Sequence, residues 1–330
     1  MTVRIAFLAD PHLFVIPSRR NFLNLLERNV FDQLDTIRRR ERGAFTDRWS
    51  WKPGSFDKRP LLAAADLIAD LAPEIDLFVL LGDLSTTGKA DDLEVAKRVF
   101  LDDSTDRYAT ISQEPRFGGK GLRFHVIPGN HDRYQDDIGT PGGTLFDSYF
   151  KSVYAPRMGV STVSVTKDGV SATIVSADFC HLPGTALNLI KRLGWGSVRE
   201  AVLTELEHQT SEAKILFHGA PVFWALHFSP SEKVSSKLQL EHRELIIDAA
   251  VRHEVRHIFC GHTHLRTREV GTFPHIYSAG SVSACDSRSR HFLHLCFVSK
   301  SGSDHILDIR DLIFDEGSGE FVLNPLSDIA

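Results

Sequence analysis

Aspartate, histidine and asparagine recur in short polar clusters along the chain: Asp10-Pro11-His12, Gly82-Asp83, Gly129-Asn130-His131-Asp132, His218-Gly219 and Gly261-His262-Thr263-His264. Carboxylate oxygens, imidazole nitrogens and an amide oxygen make a mixed ligand set that suits Mn, Fe, Zn or Ni. No cysteine stands among them, which separates the set from a Cys-rich structural zinc site. A carboxylate placed centrally could bridge two cations. Two cations about 3.5–4 Å apart can clamp a phosphoryl group, lower the pKa of a water between them and steady a leaving oxygen. Phosphate ester hydrolysis is so slow unaided that such assistance is its natural solution.

Each cluster follows a short apolar run, at residues 3–9, 77–81, 124–127, 215–217 and 258–260. Near-continuous apolar strands belong to sheets covered on both faces. Ligands of such sheets gather at the carboxyl ends of the strands, so five strands ending in Asp, Asn and His predict one shared site. His227 is the rival to His218; His218 is preferred because it closes the run 215–217.

Helices fit between the strands: 61–72 between Pro60 and Pro73, 91–100, 201–208 behind a Ser197/Glu200 capping box, and 241–253. Residues 161–166 and 170–177 alternate about Lys167-Asp168-Gly169 as a hairpin. After His264 the chain reads mostly as strand, at 276–283, 292–299, 306–314 and 321–323. With no linker or repeat, residues 1–330 are expected to form a single α/β (α+β) domain: two sheets flanked by helices, with a β-rich C-terminal part at about 268–330.

A net charge of −5 over 330 residues argues against a chain that coats nucleic acid. Cys180, Cys260, Cys285 and Cys296 lack C-x-x-C spacing and read as reduced core thiols of a cytoplasmic protein. No signal peptide and no run of membrane-spanning length is evident. The segment at about 13–60 stands apart. It has apolar periodicity at Phe22, Leu23, Leu26, Val30, Leu34 and Ile37, an Arg38–Arg42 basic run, and Trp49 and Trp51. It is expected to be an inserted helix packed on the body; peripheral membrane contact through 19–51, or a cap over the site, are the other readings.

In order and composition the five clusters resemble the motifs of the calcineurin-like metallophosphoesterase superfamily. The Gly129-Asn130-His131-Asp132 form and Leu193-Gly194-Trp195-Gly196 look most like its bacterial class III cyclic nucleotide phosphodiesterase branch. The resemblance implies a four-layer αββα sandwich with a binuclear site, one metal held by Asp10, His12, Asp83 and His264 and the other by Asp83, Asn130, His218 and His262. It also implies that His131 is the catalytic, non-ligand histidine beside the leaving group, as a general acid or a stabiliser of developing charge, and that a bridging hydroxide attacks phosphorus in line. Two departures stand out. Thr86 occupies the place of the aspartate that usually orients the histidine, and Thr87 that of the arginine clamp of protein phosphatases.

The expected function is hydrolysis of a small, nucleotide-like phosphodiester with two divalent or transition metal ions. Asn130 and Arg133 are the candidates for substrate contact. The alternatives are a phosphomonoesterase or lipid-linked pyrophosphatase at a membrane surface, a nuclease, and a non-catalytic scaffold. Oligomeric state is not legible in the sequence.

Overall fold

The computed structural model describes residues 1–13, 58–86, 88–101, 117, 121–133, 144–180, 195–235, 238–271, 273–283, 291–302 and 304–324. The expected insertion at about 13–60 lies outside them except at its ends, as do Thr87, Leu193, Gly194 and Cys285.

Apolar alternation on β1 (Thr2–Leu8) sets the layering. Val3, Ile5 and Phe7 face one way, into a core between two sheets, while Ala6 and Leu8 face the other way, toward helices. β2 (Leu77–Leu80) and β3 (Phe124–Val126) extend β1 in parallel. On the other side β12 (Phe292–Ser301), β13 (Asp304–Asp315) and β14 (Glu320–Leu323) add antiparallel strands, giving the order β14-β13-β12-β1-β2-β3. α1 (Lys58–Leu71), α2 (Ala90–Leu101) and α3 (Thr144–Phe150) supply the residues of this sheet's outer core, such as Leu61, Ile68, Leu93, Phe100 and Phe146.

The second sheet has the order β10-β11-β9-β7-β5-β4. β4 (Val160–Lys167) and β5 (Val170–Ala177) form the expected hairpin, turning through Asp168 and Gly169 at φ of 52° and 80°. β5, β7 (Val222–Leu226), β9 (His257–Cys260) and β11 (His275–Ser278) run parallel, and β10 (Thr267–Glu269) closes one edge. α4 (Glu200–Leu216) and α5 (Arg243–Arg252) cover the outer face, with Val202, Leu206, Ile246 and Ala249 packed among Val175, Trp224 and Ile258. β6 (Gly196–Ser197) and β8 (Leu240–Glu241) make a separate two-stranded ribbon. Ser197 therefore does not cap α4, whose N-cap is Arg199 without a side-chain hydrogen bond.

Between the sheets Phe7 stacks on Phe259 with ring centroids 3.9 Å apart. The αββα sandwich expected from the sequence is thus the observed fold. Cys180, Cys260 and Cys296 are free and buried, and among the described residues no helix is long and apolar enough to cross a membrane.

Candidate metal centre

The parallel strands of both sheets end at one rim. β1 leads into Asp10 and His12, β2 into Asp83, and β3 into Asn130 and His131; from the second sheet β7 leads into His227, and β9 into His262 and His264. Backbone hydrogen bonds stitch these loops beyond the strand ends: Asp10 N–H to Gly82 C=O at 3.1 Å, His12 N–H to Asp83 C=O at 2.9 Å and Gly261 N–H to His227 C=O at 3.0 Å. Of nine described non-glycine residues with positive φ, five are Asp10, His12, Asp83, His262 and His264. That left-handed region is sparsely used by residues with a Cβ. Its concentration here shows that the surrounding loops hold these side chains in place against a local backbone cost. Glycine provides the clearance: a Cβ on Gly129 would lie 2.1 Å from Asp83 Oδ1.

Two donor groups result, Asp10, His12, Asp83 and His264 in one, and Asp83, His227 and His262 in the other, each with its ligand atoms within 4.8 Å of one another. Asp83 belongs to both. In the first, His12 Nε2 and His264 Nε2 face each other at 3.0 Å, with Asp83 Oδ2 3.8 Å from His12 Nε2. In the second, His227 Nδ1 lies 2.8 Å from Leu81 C=O, which can only accept, so Nδ1 carries the hydrogen. His227 Nε2 is left as a lone pair facing Asn130 Oδ1 at 3.0 Å and Asp83 Oδ1 at 3.5 Å. Burial drives the His227 imidazole down to about 3, so it is neutral near pH 7. Burial likewise pushes the Asp10 carboxyl well above its usual range, partly offset by the His262 N–H at 3.0 Å from Oδ2. Around His227 acceptors converge on acceptors in a buried space, the arrangement that a cation relieves, and with four Asp and His donors gathered in the other group the residues fit two metal ions.

His131 sits on the rim, its ring 4.8 Å from that of His12 in an edge-on arrangement. Its Nδ1 lies 2.7 Å from the Thr86 backbone C=O, which fixes the hydrogen on Nδ1 and leaves Nε2 as the basic nitrogen. The orienting acceptor is thus a main-chain oxygen at the very residue that departs from the family pattern. The Thr86 hydroxyl points elsewhere, donating to His12 C=O at 2.7 Å. Asp132, to which the sequence reading gave no role, ties two loops together. It accepts from Leu84 N–H, Ser85 N–H, the Ser85 hydroxyl and Gly129 N–H at 2.8–3.1 Å.

Two expected site residues are corrected. His218 is exposed in the turn after α4, because residues 215–217 are the end of that helix and its cap rather than a strand. Ile215 and Leu216, which suggested a buried strand, are 77% and 74% exposed. The strand is β7, and His227 closes it. Arg133, expected near substrate, is 1% exposed and held by Asp178 (Nε to Oδ2, 3.0 Å) and Asp147 (Nη2 to Oδ1, 2.8 Å), with its guanidinium 5.3 Å from the Phe146 ring centroid. It braces the loop of Asn130 and His131 against the second sheet and α3.

A family model described as calcineurin-like phosphoesterase matches residues 3–266. No curated protein matches the chain. Among solved structures, the fold is similar to a dimetal phosphatase from Danio rerio, with a TM-score of 0.56 and 13% identity over 97% of this chain and 98% of that one. It is also similar to GAP50, the anchor in the inner membrane complex of Plasmodium (TM-score 0.54, 12% identity, 97% and 87% covered). A third is the purple acid phosphatase PPD1 of yellow lupin (Lupinus luteus; 0.53, 11%, 98% and 53%). At these identities the likenesses speak for the fold. The match across the motifs, on a fold that brings their donors to one rim, places the chain in the calcineurin-like phosphoesterase family, as a hydrolase of phosphoric esters.

Proposed function

We propose that the protein hydrolyses a small phosphodiester with two metal ions, held by Asp10, His12, Asp83 and His264 and by Asp83, Asn130, His227 and His262. The observation that carries this reading is the sharing of Asp83 between two donor groups. When bound, the cation pair supplies Lewis-acid activation of water and of the phosphoryl oxygens. The chain's own part is to hold the donors on strained loops, to keep His227 as a neutral ligand, and to aim His131. With Nδ1–H given to Thr86 C=O, His131 receives or returns a proton at Nε2 beside the leaving oxygen.

The diester preference follows from charge. A monoester near neutral pH carries nearly two charges and three non-bridging oxygens, and its site generally adds a cationic clamp beyond the metals. Arg133, the guanidinium next to the His131 motif, is committed to Asp178 and Asp147 instead. The oxygen and nitrogen donor set suits Mn, Fe, Zn or Ni as the ions. The test compares bis(p-nitrophenyl) phosphate with p-nitrophenyl phosphate after chelation and reconstitution with Mn²⁺. A higher kcat/KM for the diester is expected; a clearly higher value for the monoester reassigns the protein as a phosphatase.

A further inference from the structure

Beyond the donors themselves, the loop of His262 and His264 has a brace that reaches across the sandwich. Arg266, two residues after His264 and just before β10, sends its guanidinium to Asp311 on β13, with Nη2 bonded to Oδ2. The same guanidinium lies 5.3 Å from the centroid of Phe292 on β12. Asp311 is fully buried, and its other oxygen is 2.8 Å from His294 Nδ1, also fully buried. His294 pairs with Asp311 across β12–β13 and with Phe7 across β12–β1, just upstream of Asp10. A chain of contacts therefore runs from the central strand of one sheet to the turn that presents His264 from the other.

A buried carboxylate needs compensation. Burial pushes the Asp311 carboxyl up, but the His294 hydrogen bond and the charges of His294 and Arg266 outweigh it and bring the group down to about 2. Its partners thus hold Asp311 in the charged form that binds the Arg266 side chain. The held residue follows a turn with His262 and His264 at φ of 67° and 55°. Such a backbone persists only while neighbours impose it.

We propose that Asp311, held by His294, is a positioning residue for the metal centre: through Arg266 it fixes the turn that sets His264 against His12. Outer residues that orient metal ligands typically govern 10–100-fold of metal affinity. The inference rests on the two-metal reading, and it predicts an asymmetric loss. The ion of the His264 group weakens roughly tenfold or more in Asp311→Asn and Arg266→Met, the other ion less.

The probe is Mn²⁺ alone, titrated calorimetrically into chelator-stripped protein, with thermal unfolding of the same samples. Arg266→Lys is the conservative rescue and should restore part of the affinity. Leu312→Ala is the control, since Leu312 neighbours Asp311 but belongs to the helix-facing core and should lower Tm while leaving Mn²⁺ affinity unchanged. If Asp311→Asn does not fold, Arg266→Met decides. Wild-type Mn²⁺ affinities in a folded Arg266→Met or Asp311→Asn, whatever their Tm, overturn the positioning role. Failure of the wild type itself to bind two Mn²⁺ brings down the two-metal reading and this inference together, and is recognised by that difference.

Discussion

The two sheets contribute different chemistry to one site. Among the described residues of the two donor groups, the sheet built on β1, β2 and β3 supplies the carboxylates Asp10 and Asp83 together with His12, while the sheet built on β7 and β9 supplies imidazoles, His227, His262 and His264. Each of the two donor groups draws on both sheets. Coordination therefore depends on the packing between the sheets, where Phe7 lies on Phe259 and β1 is stitched to the second sheet by the Ala9–Ser281 bridge. Metal binding and sandwich stability are expected to be coupled, because what binds the native state alone stabilises it.

The imidazole half offers the sharpest way to break this comparison. His227→Ala should leave one Mn²⁺ bound tightly and cost roughly 10²–10³ in kcat, the scale for loss of a group that stabilises developing charge. His218→Ala should change neither, its stability effect staying within about ±0.5 kcal/mol as for other surface sites. Metal analysis and kinetics of the pair decide between them; equal effects would contradict the assignment.

The seam comes next. Phe259→Ala removes a fully buried ring between the sheets and should cost about 3–5 kcal/mol in urea unfolding. It should also weaken Mn²⁺ binding, so that added Mn²⁺ stabilises this variant less than it does the wild type. A variant that loses stability yet binds Mn²⁺ with unchanged affinity would show that the sheets' packing and the site are independent.

The smallest effect concerns the edge of the seam. His125 on β3 faces Ser176 on β5, Nε2 to Oγ at 2.9 Å. Burial, with the nearby Arg123 charge, brings its pKa down to about 4 from an ordinary value near 6.5. A depressed folded-state pKa means that the unfolded chain takes up the proton first. The contribution of His125 to stability is therefore present above about pH 6.5 and lost as pH falls toward 4. In the chelator-stripped protein, His125→Gln should flatten that part of the stability–pH curve, measured by denaturant unfolding; a slope identical to wild type would exclude it.

Much of this was legible in the sequence where a motif directly followed an apolar run, as at Asp10, Asp83, Asn130 and His262, because strand ends and polar clusters coincide there. His227 was not, since a three-residue apolar run at a helix terminus cannot be told from a buried strand by periodicity. The tethers were hidden for another reason. Asp178 and Asp147 meet Arg133, and Asp311 meets Arg266, only through tertiary contact, and nothing local in the chain pairs them. The carbonyl that orients His131 was invisible because it is backbone, available whatever residue stands at position 86.

Asp83 joins the two halves, so it tests the whole account most directly. Bound Mn²⁺ per chain should be counted in wild type and Asp83→Asn alongside hydrolysis of bis(p-nitrophenyl) phosphate. The account predicts two ions and metal-dependent turnover in the wild type, and in the variant weakened binding of both ions with activity lost in step. A wild type holding one ion or none, or a variant that keeps one ion at full affinity, would contradict a centre built around a shared carboxylate.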